Sequence, residues 1–285
     1  MPSWLVVLLR IATASLFLGE AWLHWFGDTS YAVALQDPLL QWLSVEPLWL
    51  DRGLGALFFA AGLLAIWWQP RWIVGLVLIL SLVGLAFVAF CWGLASTSRV
   101  ATHTGNAVLI FTPLILLLGG IFRLEGLSKF LLRLLFTVSF ATFGILALGL
   151  QLSLGPVQLG SEQFDAWIQT VDAAIQLPIA APVLLRGMGV LCLLACIGLW
   201  IKPAALPSAA FFALAGLTSS VAVIASNPPS SDFVESLHRL APEVLLRAPF
   251  MLLGIALVAL QVVGWSRTRS GSGRFPFVRA ARASD

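Results

Sequence analysis

The 285-residue chain is 60% apolar and only 10% charged, against about 45–50% and about 25% for an ordinary soluble domain. A soluble fold of this size has too little interior to hide so much apolar surface, so lipid is the fitting solvent. The net charge is only +3, and five of the sixteen cations (Arg267, Arg269, Arg274, Arg279, Arg282) fall in the last nineteen residues; the basic balance describes a tail, and no nucleic-acid partner is indicated.

A helix needs about 20 mostly apolar residues to cross the hydrocarbon, where an isolated strand leaves its backbone unsatisfied. In chain order the apolar runs predict eight spanning helices, at roughly 4–26, 52–68, 72–94, 106–122, 130–152, 183–201, 206–226 and 245–265. The first has no basic segment ahead of it, and Ala12-Thr13-Ala14 is followed by more apolar sequence, so it reads as a retained helix and not a cleaved signal. Longer segments, 33–49 and 161–178, follow the first and fifth helices. In the second of these Phe164, Ile168, Val171 and Ile175 recur at helical spacing, which predicts an amphipathic helix along the interface. Pro38 and Pro47 break the first. Cys91, Cys192 and Cys196 lie inside apolar runs without C-x-x-C spacing; they read as small core side chains, and neither disulfides nor zinc are expected. Residues 266–285, rich in Ser, Gly and Arg, predict a disordered tail or one loosely docked on anionic headgroups.

Short cytoplasmic loops are enriched in Lys and Arg. With the N-terminus inside, the inner segments carry Arg71, then Arg123 and Lys129, then Lys202, then the five-arginine tail, while Asp28, Asp37, Glu46, Glu162, Asp165, Asp172, Asp232 and Glu235 fall outside. Tryptophan, which prefers the two interfaces, divides the same way. Trp4, Trp67, Trp68, Trp72, Trp200 and Trp265 sit at inner ends, and Trp22, Trp25, Trp42, Trp49, Trp92 and Trp167 at or beyond outer ends. The expectation is a multi-pass protein of the cell inner membrane with both termini cytoplasmic.

Cut near residue 128, the chain resembles itself. Leu8-Leu9-Arg10 matches Leu131-Leu132-Arg133, Arg52-Gly53-Leu54-Gly55 matches Arg186-Gly187-Met188-Gly189, and His103 precedes the fourth helix as His238 precedes the eighth. Each half has an even number of spans, so the copies point the same way, as parallel repeats about an axis along the membrane normal. The predicted fold is all-α: two four-helix bundles, residues 1–128 and 129–265, with outer amphipathic segments and the tail 266–285.

The Arg-led first helix with its Phe-Gly stretch (Phe17-Leu18-Gly19; Phe143-Gly144), the outer insertion, the Gly-rich second helix and the polar start of the fourth resemble the DoxX-like four-helix unit, twice over residues 4–265. The resemblance implies a four-helix bundle per half and association with membrane redox systems, since the family includes the quinone-linked subunit of a thiosulfate:quinone oxidoreductase and partners of thiol-oxidoreductase assemblies.

Ionisable groups inside spans are costly; they face a bundle interior or cavity, pair, or snorkel. Arg10 and Arg133, near inner ends, read as interface anchors or as ties between the bundles. Glu20 and His24 share one face of the first helix at the level of Arg52 and His103, and these four are the candidate quinone site, offering donors for the carbonyls and groups that exchange protons. Arg186, His238, Glu243 and Arg247 occupy the same level in the second half, where Glu243 and Arg247 read as an i,i+4 ion pair. In the repeat register Glu20 and His24 correspond to Phe143 and Ala147, so the halves are not equivalent. The three histidines lack H-x-x-x-H spacing, so haem or a metal is not expected. The expected function is an accessory or quinone-interacting subunit of a membrane redox system with protein partners. The alternatives are a small-solute transporter or exporter, which a midplane nearly free of charge disfavours, and a structural scaffold.

Overall fold

Proline has no N–H and a fixed φ suited to a first helical turn, where the N–H would find no partner anyway. Pro47 opens one helix, Pro182 stands in the first turn of another, and the carbonyls of Pro2 and Pro70 accept the first bonds of two more. The computed structural model describes residues 2–26, 47–95, 107–150, 152–154, 157–159, 168, 180–226 and 233–271. Among these residues eight helices stand at the eight predicted runs: α1 (Ser3–Phe26), α2 (Pro47–Trp67), α3 (Arg71–Ala95), α4 (Ala107–Leu116, continued by the π-helical turn Leu117–Ile121), α5 (Glu125–Ala147), α6 (Ala181–Gly198), α7 (Ala205–Ser226) and α8 (Phe233–Gly271). Five contain stretches long and apolar enough to cross a membrane: α1, α2, α5, α6 and the 244–263 part of α8.

Two boundaries depart from expectation. The fifth helix ends at Ala147, short of 152, because Gly149 adopts the left-handed conformation (φ 73°) that closes a helix without Cβ strain. After it, Leu152–Leu154 (β1) and Val157–Leu159 (β2) form a small antiparallel hairpin with Ser153 opposite Gln158. The last helix runs 39 residues and passes 245–265 at both ends, so its backbone stays helical through Gly271 into the expected tail. At 1.5 Å per residue it is roughly 58 Å long, against a hydrocarbon core of about 30 Å, so polar residues such as His238 and Arg267 extend it beyond the apolar part. Residues 33–46, most of 161–178 and 272–285 lie outside the described residues.

In each half the helices neighbour one another in a ring, α1–α2–α3–α4 and α5–α6–α7–α8. The halves meet through α1 against α8 and α4 against α5, with a smaller contact of α4 on α8. One continuous core joins them, built on Leu5, Leu9, Phe17 and Phe58 from the first half and Leu132, Phe136, Phe212 and Leu253 from the second. The outside is also apolar. On α2 Phe59, Leu63, Ile66 and Trp67 form an exposed stripe at i, i+4, i+7 and i+8, and on α6 Val190, Leu191, Leu194 and Ile197 form another at i, i+1, i+4 and i+7. Apolar faces this extensive, on helices whose inner faces are already filled, are the surface of a protein associated with a lipid bilayer.

Candidate functional site

The α1–α2 crossing carries the first polar group. Glu20 and His24, one turn apart on α1, are both buried, at 2% and 3% exposure. The His24 Nδ1–H donates to Asp51 Oδ1 at 2.5 Å, and Asp51 is itself only 2% exposed. The imidazole lies against the Phe58 ring (5.3 Å between centroids), and Phe58 stacks on Phe17 at 5.7 Å. Close approach at this crossing depends on Gly55, where a Cβ would come within 2.6 Å of the Trp25 ring and 3.0 Å of His24 Cβ. The bond offsets part of the cost of burying an imidazole and a carboxylate, either of which would be expensive to bury alone.

Of the four residues expected to converge, Glu20 and His24 are buried, and the α2 residue that meets His24 is Asp51. Its neighbour Arg52 is exposed and contributes its main-chain carbonyl, which accepts the Trp25 Nε1–H at 3.2 Å. The helical register decides this: adjacent residues are rotated by about 100°, so 51 and 52 cannot both face α1. His103 lies outside the described residues. His238 is exposed, yet its ring packs at 5.2 Å from Trp22 and 5.3 Å from Phe26 of α1, so it belongs to the junction between the halves. Arg186 is exposed at the start of α6 and Arg247 is half-buried on α8; the Glu243 side chain lies outside the described residues. Arg10 does more than snorkel. Its Nε–H donates to Ala65 O at 3.0 Å and an Nη to Ile66 O, capping α2 carbonyls that lack intrahelical partners, while its guanidinium lies 5.4 Å from the Trp68 ring centre. Arg133 is half-buried and its carbonyl accepts the Thr137 hydroxyl at 3.0 Å.

The second site was not anticipated. A cavity of about 440 Å³ opens among α5, α6, α7 and α8, walled by Phe140, Phe143, Phe211 and Phe250, with Cys192 and Ser139 also on its surface. Phe140 is held by Phe212 (4.6 Å) and meets Phe250 edge-on. Ser139 is 6% exposed, and its Oγ has no hydrogen-bond partner among the described residues. A buried hydroxyl without a partner costs about 1–3 kcal/mol, which a ligand acceptor in the cavity would recover. The only sequence signal was the substitution of Phe143 and Cys192 into positions held by larger or charged groups in the other half. Cys192 and Cys196 are free and buried, as small core side chains should be. Among the described residues no group of three or more His, Cys, Asp or Glu side chains is arranged to hold a metal ion.

Comparison with known proteins returns no match, whether against protein-family models, curated proteins or solved structures.

Proposed function

We propose that the chain is a quinone-interacting accessory subunit of a membrane redox system, built as two parallel copies of a DoxX-like four-helix unit with eight spans. Both termini are cytoplasmic in this reading, and the membrane is the cell inner membrane. The observation that carries the ligand assignment is the aromatic cavity of the second unit with the Ser139 hydroxyl, unpartnered among the described residues, on its wall. Its volume is in the range of small-molecule sites. Four phenyl rings suit a flat ring, Ser139 can donate to one ring carbonyl, and the apolar faces of the bundle accept an isoprenoid tail. A bound quinone would supply electron-accepting chemistry; the protein's own share is to orient the ring and keep water from it.

The duplication is supported by packing that repeats in register. The α1–α8 contact between halves has its counterpart in α5–α4. Gly55 against His24 is matched by Gly189, whose added Cβ would meet Ala147 Cβ at 3.2 Å and Gly144 O at 2.8 Å.

In that register Cys192 corresponds to Phe58, so Cys192→Phe refills the second cavity with the side chain the first unit uses. Organic extraction of the purified protein should yield quinone from wild type and little from Cys192→Phe. Quenching of tryptophan fluorescence by a short-chain quinone should saturate for wild type only. Equal behaviour of the two proteins, with an unchanged helical spectrum, removes the quinone reading and leaves the transporter or scaffold classes.

A further inference from the structure

At the end of the bundle that carries the N-terminus, three arginines from separate parts of the chain line one cavity of about 510 Å³: Arg10 on α1, Arg71 at the start of α3 and Arg123 in the link before α5. Arg10 is fixed by its bonds to α2 and by Trp68; those two bonds use two of the five N–H donors of a guanidinium. Trp68 and Arg123 are the two non-glycine residues in the left-handed region among the described residues (φ 62° and 59°), and both line this cavity. Such a conformation persists where the surroundings over-determine it, and it is concentrated at ligand clamps. The Trp68 ring rests against Gly120, where an added Cβ would come within 3.0 Å of it, so the wall has no slack. One carboxylate, Glu125, is also on the wall, with Lys129 Nζ at 4.0 Å, and the three arginines outnumber it.

Guanidinium groups converging from three elements match the several oxygens of a phosphate, to which each can present a two-pronged donor face. Val7 is on the same wall and 47% exposed, and Ile11, one turn further along that face of α1, is also 47% exposed. An apolar strip therefore runs from the cavity along the outside of the bundle. We infer that this cavity binds the phosphate of an anionic phospholipid, with the headgroup among Arg10, Arg71 and Arg123 and an acyl chain along Val7 and Ile11.

The test uses full-length protein, purified in detergent, stripped of lipid and examined by native mass spectrometry with added phosphatidylglycerol or phosphatidylcholine. Arg71→Gln and Arg123→Asn are the informative variants: Arg71 and Arg123 are both exposed, Asn tolerates a left-handed backbone, and Arg10 is left in place because it caps α2. Wild type should retain phosphatidylglycerol preferentially, and each substitution should weaken retention roughly tenfold, the worth of one charge-assisted hydrogen bond, with the helical spectrum unchanged. High salt should weaken it further. Equal retention of the two lipids by wild type, or undiminished phosphatidylglycerol on the double variant, overturns the proposal. Competition by inorganic phosphate or glycerol phosphate as strong as by the lipid overturns the lipid as the source and leaves a soluble phosphate at the same arginines.

Discussion

Where α1 crosses α2, a histidine and an aspartate meet; at the corresponding crossing of α5 and α6 stand Ala147 and Leu185, both buried and both apolar. One turn further into the bundle the contrast reverses. The first half is filled by Phe58 stacked on Phe17, and the second has Cys192 beside a cavity ringed with phenyl groups. One crossing thus backs onto a buried, hydrogen-bonded polar pair, and the other onto a cavity of about 440 Å³. Two crossings that rest on close glycine contacts, at Gly55 and Gly189, carry different side chains behind them, because close packing constrains the crossing far more than it constrains the contents.

The largest effect should come from emptying the first half. Phe58→Ala removes a fully buried ring and should destabilise by about 3–5 kcal/mol, read as a lowered midpoint of unfolding in detergent. It also opens space at the position where the second half has Cys192, so a new affinity for a short-chain quinone in that variant would mean the cavity alone specifies the ligand.

Next in size is the polar pair. Asp51→Leu leaves the buried imidazole without its acceptor and should cost about 1.5–3 kcal/mol. His24→Ala together with Asp51→Leu, which copies the second half, should cost clearly less than the two single changes added together. Strict additivity in that cycle would mean the 2.5 Å contact couples nothing and the comparison between the crossings has no energetic content.

The smallest effect is the most diagnostic because its two readouts move oppositely. Ser139→Ala deletes a buried hydroxyl with no partner among the described residues, so ligand-free protein should be unchanged or more stable, by at most the about 1–3 kcal/mol that burying the bare hydroxyl costs. Affinity for quinone should fall roughly tenfold through loss of one hydrogen bond. Loss of stability with unaltered affinity would make Ser139 an ordinary core residue.

Much of this molecule is written locally and could be read without a structure. Apolar runs of helical length and prolines at first turns specify where eight helices lie, because each depends on neighbours within a turn or two; that Gly55 and Gly189, and not Gly53 and Gly187, are the close contacts depends on the neighbouring helix. Burial of Glu20 and His24 was legible too, since an ionisable pair on one face of an apolar helix has few other places to go. The choice of Asp51 over Arg52 was not, because it depends on the angle at which α2 meets α1. The role of Arg10 as a cap on α2 depends on where a different helix ends. The two cavities exist only in the assembled bundle: a void is the absence of atoms from four helices at once, and three arginines separated by 61 and 52 positions in the chain (10 to 71, 71 to 123) become one site only when α1, the start of α3 and the α4–α5 link are brought to the same end.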